Sequence, residues 1–472
     1  MTSVVLKNGY LVTVDADRRV LRGGWIKVEE GVISAIGSAE DPVPEADRTI
    51  DLAGKLTMPG LINGHNHHWA SMFKNTGEGL LLEPWLDEVT IPLKHVLTPD
   101  DLRVASYLSA LEQIRTGTTC SLNHINNEND AESMRAIIEP TVEMGIRQLV
   151  TKELRDVPDP VFSDRYPAPS YPRTRDEELA LAEELVDRWD GAAGRIHMGL
   201  AIESGANWML HNTTSDEVIV AGVELATRRN LKITNHCSAG TAWLSIKDFR
   251  DMTGGGDIDY LVKLGVLTDA WVMIHCLWLT DREIEHMARA GTTVVTNPVS
   301  NAYSADGITP LRRMFDAGIT VGLGTDGAYV NCSPDMVEQM KFAVLIQNVT
   351  HLDPAFMSAE RVIEMATIDG ARAIGLDHLI GSLEVGKRAD IVAFDLDKPH
   401  ATVGHRPISA LVFSGHGTDV DLMMVDGNLL LLDGELVGFD QEAEVLAEAR
   451  ARAAEAMERA GITHRVSTDW RR

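Results

Sequence analysis

Two histidines one residue apart carry the first chemical signal in this chain. In the segment PGLINGHNHH, His65 and His67 flank a single asparagine. On an extended strand that spacing sends both imidazoles to one face, where they can grip one ion. His236 in LKITNHC, His275 in AWVMIHC and Asp326 in GLGTDG offer further donors. Imidazole nitrogens of this kind suit a divalent transition metal, zinc, cobalt or iron, with one or two ions per chain. Asp326 either ligates the ion or accepts the proton of bound water. Both tasks need the ionised carboxylate that a neighbouring dication maintains. A divalent ion lowers the pKa of bound water towards about 7 and polarises a carbonyl under attack, so hydrolysis is the reaction class. Asp326 and His275 are expected to be indispensable for turnover.

These donors meet only if the elements bearing them converge. Residues 58–379 alternate short apolar runs with longer helical patterns, as in IRQLVTKE after MRAIIEPTVEMG. That alternation predicts a parallel sheet with crossover helices. The candidate strands are LINGHNH, TTCSLNH, IRQLVTKE, IHMGLAIES, LKITNHC, AWVMIHC, TTVVTNP and ITVGLGTDG. Eight strands close a (β/α)8 barrel, and catalytic groups of such barrels gather at the C-terminal strand ends. The polar residues found there are His67, His124, Lys152, Glu203, His236, His275, Asn297 and Asp326. On either side of the barrel, residues 1–57 and 380–440 read as short strands closed by Gly, Asp or Asn. Both chain ends are expected to join in one small β-sandwich domain. Residues 441–472 read as a helical extension rich in Ala, Glu and Arg, suited to packing or to contact with a second subunit.

The net charge of −27 argues against a nucleic-acid ligand, because a phosphate backbone requires a basic surface. Cys120, Cys237, Cys276 and Cys332 lie far apart and form no CxxC pair, which fits reduced thiols. The N-terminal segment lacks a basic-then-apolar leader, and no window approaches the roughly 20 apolar residues of a membrane span. The expectation is a cytoplasmic enzyme acting on a small molecule, with no membrane partner.

The PGLINGHNHH opening, His236, His275, the TDG at Asp326, and the closing ATIDGARAIGL and GSLEVGKRADIVAFD are read together. They resemble the amidohydrolase superfamily, in the branch of guanine and cytosine deaminases and triazine hydrolases. The resemblance spans nearly the whole chain. It implies a (β/α)8 barrel beside a split β domain, a homo-oligomer, and His65, His67, His236, His275 and Asp326 as metal ligands. Asp326 is also the implied proton acceptor.

Deaminases of this branch carry HxxE after the fifth strand, and its glutamate shuttles a proton between water and a ring nitrogen. Here the stretch is His236, Cys237, Ser238, Ala239, and alanine moves no proton. His68, His124 and Lys152 are the candidate replacements. His124, with a pKa near working pH, is read as an acid for the leaving group. Lys152 is a solvated rim lysine paired with Glu153, a carbamylated bridge to a second metal, or a cation that orients substrate. The altered stretch resembles phenylurea hydrolases and molinate hydrolase, whose substrates offer no ring nitrogen to protonate. The leading expectation is hydrolysis of a carbonyl C–N or C–S bond in a urea, carbamate or thiocarbamate. The alternative is an aminohydrolase or dechlorinase of a triazine, purine or pterin ring. Trp69, Met72, Phe73, Trp85, Trp208, Trp243 and Trp278 fall near the strand-end loops and suit an apolar substrate.

Overall fold

All eight apolar runs become strands, and they lie parallel in one sheet. The computed structural model describes residues 3–127, 130–157, 173–204 and 214–466. Its barrel strands are β1 (Leu61–Asn66), β2 (Thr118–His124), β3 (Arg147–Glu153) and β4 (Ile196–Ala201). They continue as β5 (Ile233–Cys237), β6 (Trp271–His275), β7 (Thr293–Thr296) and β8 (Val321–Leu323). The strands stand in chain order, each parallel to the next. The last strand meets the first just beyond β8, where the Thr325 and Asp326 N–H groups donate to the His65 carbonyl at 3.1 and 2.9 Å. Gly324 is needed at that seam, since a Cβ there would lie 2.8 Å from the His65 nitrogen. The result is the (β/α)8 architecture that the strand count predicts.

Outer helices begin where the sequence supplies caps. Thr98 and Asp101 form a reciprocal capping box for helix Pro99–Arg115, as do Thr280 and Glu283 for Asp281–Ala290. Inside the barrel, Ile62, Leu122, Leu149, Val272, Ile274 and Val295 pack with Ala371, Ile374, Leu376 and Ile380. Ala371, Ile374 and Leu376 belong to the ATIDGARAIGL segment, with Ile380 just beyond it, and the segment's helix Ile368–Ala373 plugs the N-terminal end. Thr293 at the start of β7 anchors it, donating through Oγ1 to the Ala373 carbonyl at 2.9 Å. That plug leaves the C-terminal end as the mouth.

The two chain ends meet in one continuous nine-stranded sheet. Its joint is strand Leu56–Pro59, parallel to Val4–Val12 and antiparallel to Ile391–Phe394. That strand runs past residue 57, where the sequence placed the division, to Pro59. The sheet has its own core of Leu6, Leu11, Ile26, Ile33, Ile391 and Leu422. Buried Arg147, at the start of β3, grips Asp390 twice, Nε to Oδ2 at 2.8 Å and Nη2 to Oδ1 at 3.0 Å. Helix Glu442–Arg459 lies along Pro99–Arg115, with Arg459 Nη2 donating to Asp101 Oδ2 at 2.6 Å. Among the described residues no helix is long and apolar enough to cross a membrane.

Candidate metal centre and active site

The mouth gathers four histidines and an aspartate at one point. Nε2 atoms of His65, His67 and His275 lie 3.4, 3.5 and 3.7 Å from the carboxylate oxygens of Asp326. Donor atoms of His65, His236 and His275 lie within 4.8 Å of one another, as do those of His65, His67 and Asp326. Left-handed backbone shapes two of the strand ends, with φ of 69° at His275 and 64° at Asp326. Outside glycine each such conformation costs about 1–3 kcal/mol, and this kind of strain clusters at functional sites.

Neighbouring groups decide which ring nitrogen faces inward. His67 Nδ1 donates to the His124 carbonyl at 2.7 Å, His236 Nδ1 to Glu203 Oε1 at 2.6 Å, and His275 Nδ1 to Asn301 Oδ1 at 2.8 Å. Each bond commits the single N–H of a neutral ring and leaves Nε2 as a bare donor. Ser300 Oγ donates to Asp326 Oδ2 at 2.6 Å and the Gly327 N–H to Oδ1 at 2.7 Å. His65 is fully buried, yet neither of its ring nitrogens has a hydrogen-bond partner. An orphaned buried polar atom is costly, and a cation at the centre of the cluster would satisfy it. The donor set of imidazoles with one carboxylate fits a divalent transition metal.

The electrostatics agree with that fit. Burial pushes His65 down to about 3 and His67 well below the ordinary histidine range. It lowers His275 as well. At His236 burial opposes the charged form, but the Glu203 carboxylate outweighs it and the pKa rises. Burial alone would raise Asp326, yet His65 and His275 hold it well below the usual carboxylate range. An ionised carboxylate ringed mainly by neutral imidazoles presents the protonation states that metal binding requires.

Three other residues named by the sequence lie around this cluster or away from it. His124 does reach the cluster, its ring centroid 4.5 Å from that of His236. Its Nε2 lies 3.0 Å from Glu203 Oε1 and its Nδ1 2.9 Å from Thr234 Oγ1. Burial lowers its pKa, while the Glu203 carboxylate works in the opposite direction. Lys152 is not brought to the cluster. It is fully buried instead of solvated at the rim, and Nζ donates to Glu178 Oε2 at 2.7 Å on helix Arg175–Trp189. The Glu153 carbonyl, not its carboxylate, accepts another of the lysine's hydrogen bonds. His68 turns away too, meeting Gln148 Nε2 at 2.9 Å and Gln113 Nε2 at 3.1 Å, and burial pushes it down to about 3.

Glu203 is the functional residue to which the sequence assigned no role. Its one signal is its place at the end of the run IHMGLAIES. Burial would raise its carboxyl, but His236 and His124 hold it well below the ordinary value.

Beside the cluster a cavity is lined by His67, Leu82, Trp85, Asn126, Ala239, Asp306 and Tyr329, among others. The Tyr329 ring lies 4.6 Å from that of Trp85 and 6.2 Å from that of His67. Of the aromatic residues expected near substrate, Trp85 lines this cavity. Trp69 and Phe73 are buried behind it, and Trp243 is 67% exposed. Trp208 lies outside the described residues.

The sequence model of the Amidohydrolase family matches residues 56–430, from the joint strand through the barrel to the returning end strands. The chain belongs to the amidohydrolase family. This amidohydrolase is 34% identical over 431 residues to a Desulforudis audaxviator protein named 5-methylthioadenosine/S-adenosylhomocysteine deaminase, covering 90% of this chain and 92% of that one. It is 31% identical to a 5′-deoxyadenosine deaminase of Methanosarcina acetivorans, over 98% of this chain and 100% of the relative. A solved adenosine deaminase from Xanthomonas campestris with bound zinc superimposes with a TM-score of 0.86 at 26% identity, over 96% and 98% of the two chains. Atrazine chlorohydrolase from Arthrobacter aurescens, 23% identical, shares the fold with a TM-score of 0.85 over 95% and 100%. The amidohydrolase is a metal-dependent hydrolase acting on C–N bonds. The relatives are named as deaminases, which moves the weight from the urea and thiocarbamate expectation to the ring aminohydrolase alternative.

Proposed function

We propose that His65, His67, His236, His275 and Asp326 hold a divalent transition metal, most simply zinc. We propose further that the enzyme removes an exocyclic amino group from a heteroaromatic ring of the adenosine type, releasing ammonia. The observation that carries this reading is the convergence of the four imidazoles on one ionised carboxylate beside a cavity with an aromatic wall. The names of the relatives that cover most of the chain support the substrate class.

When bound, a divalent cation supplies Lewis acidity and makes hydroxide available near neutral pH. Asp326, oriented by Ser300 and Gly327, takes up the proton of the attacking water. Glu203 and Asn301 hold His236 and His275 in register. Trp85 and Tyr329 offer flat apolar faces to a purine ring.

The test measures ammonia release from 5′-deoxyadenosine, S-adenosylhomocysteine and adenosine alongside metal content, before and after chelation. Release that is lost on chelation and restored by zinc is expected. No ammonia from any of the three overturns the substrate class, and unchanged turnover after chelation overturns the metal.

Ala239 favours a second reading. Cleavage of a carbonyl C–N or C–S bond in a urea, carbamate or thiocarbamate needs no proton on a ring nitrogen, so the missing glutamate would cost that reaction nothing. This reading predicts release of an amine or thiol and no ammonia from the nucleosides.

A further inference from the structure

The cavity beside the metal centre contains a carboxyl group left without a partner. Asp306 lines it together with Ala239, Trp85 and Tyr329. The residue is only 4% exposed, and its Oδ1 has no hydrogen-bond partner. Its backbone N–H donates to the Asn301 carbonyl at 3.0 Å, so the loop bearing it is anchored to the residue that orients His275. Trp278 ties the same loop to the turn that carries Ala239. A Cβ on Gly307 would fall 2.7 Å from the Trp278 ring, and Trp278 Nε1 donates to the Gly240 carbonyl at 2.8 Å.

Asp257 and Glu83 are further carboxyls near this turn. Asp257 Oδ2 accepts from Ser238 N and Oγ at 3.0 and 2.8 Å. Glu83 Oε1 accepts from Thr241 N, Thr241 Oγ1 and Ser245 Oγ at 3.0, 2.9 and 2.6 Å. At Glu83 burial would raise the pKa but hydrogen bonds from Ser245 and Thr241 lower it, although its Oε2 has no hydrogen-bond partner. Burial, reinforced by the charges of Glu83 and Asp326, pushes the Asp306 carboxyl up to about 8. A carboxylic acid that stays neutral at neutral pH can donate a proton.

We infer that Asp306 is a catalytic residue that replaces the glutamate absent at Ala239, giving its proton to the ring nitrogen beside the carbon under attack. The inference rests on the ring aminohydrolase reading. As the water oxygen bonds to the ring carbon, one water proton passes to Asp326 and the Asp306 proton to the adjacent ring nitrogen. The carbon then bears both hydroxyl and amino groups. Its bond to the amino nitrogen breaks with the electron pair leaving on nitrogen, which takes the Asp326 proton and departs as ammonia. The hydroxyl proton returns to Asp306, leaving a ring carbonyl beside an N–H.

The experiment uses the full-length, zinc-loaded enzyme and whichever of the three nucleosides wild type turns over. Asp306→Asn keeps the shape and removes the proton. Its kcat should fall about 100-fold or more, the range of general acid catalysis, while KM moves less than about threefold and zinc content is unchanged. The alkaline limb of the kcat profile should vanish, and adding Ala239→Glu should recover at least about tenfold of the loss. Asp306→Glu keeps a proton, so it should retain activity with a displaced alkaline limb even if the asparagine variant folds poorly. A kcat for Asp306→Asn near wild type with the same pH profile overturns the inference. So does a loss that Ala239→Glu leaves unrecovered, or an alkaline limb unmoved in Asp306→Glu. If wild type releases no ammonia, the ring reading falls and this inference with it; if wild type does and Asp306→Asn matches it, the inference alone falls.

Discussion

At the floor of the barrel Arg147 and Asp390 answer one another through two hydrogen bonds, and the Gly194 carbonyl takes a third from the guanidinium. Burial works against that guanidinium, yet Asp390 raises its pKa. At the mouth the same kind of burial leaves both nitrogens of His65 and one oxygen of Asp306 without partners. Depth and polarity are similar in the two places, and satisfaction is what differs. A buried pair that completes its own hydrogen bonds holds the end sheet to β3, and removing one member strands the other. A buried group left incomplete is poised for something the chain does not supply. Lys152, buried and paired with Glu178, belongs with the floor in this respect although it lies at the C-terminal end of its strand.

The sharpest way to break the comparison is to empty the mouth. Asp326→Ala should lower kcat by on the order of 10³-fold or more and reduce bound metal, with circular dichroism unchanged. Retained turnover would place the chemistry elsewhere. At the floor, Arg147→Ala should cost about 3–5 kcal/mol of stability in denaturant titration, while kcat per folded molecule holds. A matching loss of kcat would erase the distinction between the two ends.

Asp306 sharpens the contrast through pH. Its folded pKa of about 8 stands above the unfolded value of 3.8. The stability that depends on its proton is therefore fully present below the unfolded value and lost as pH rises through the folded one. In chelated enzyme, stability should fall by roughly 2–3 kcal/mol from pH 6 to 8, and Asp306→Asn should flatten that slope. An equal slope in both proteins would remove Asp306 as its source. The mildest effect is expected at Glu203→Gln, which keeps a hydrogen-bond acceptor for His236 but loses the charge. Zinc affinity by competition with a chelator should weaken about 10-fold to 100-fold.

Much of this was legible along the chain. The eight runs and their polar C-terminal residues predict the barrel and its mouth, and the five donors meet where the strand ends do. The plug formed by ATIDGARAIGL was visible as a motif but not as a floor, because its role appears only against Thr293 and Ile62. Ala239 was legible as an absence. What occupies the space around it was not, since Asp306 sits in an unremarkable run, NAYSADG. For His124 the sequence offers only the pKa of an imidazole in water, whereas in the fold burial lowers it and Glu203 opposes that.

The sequence by itself determined the donor types, the paired faces of His65 and His67, and the alternation of strand and helix, because those depend on local periods of the backbone. Tertiary structure alone decided which charged groups find partners. Glu203 takes His236 from 33 residues away, Lys152 takes Glu178 from 26, and Asp306 Oδ1 is left without a hydrogen-bond partner. Hydrogen-bond satisfaction and desolvation depend on which side chains packing brings within about 3 Å in a dry interior, and no local period encodes that.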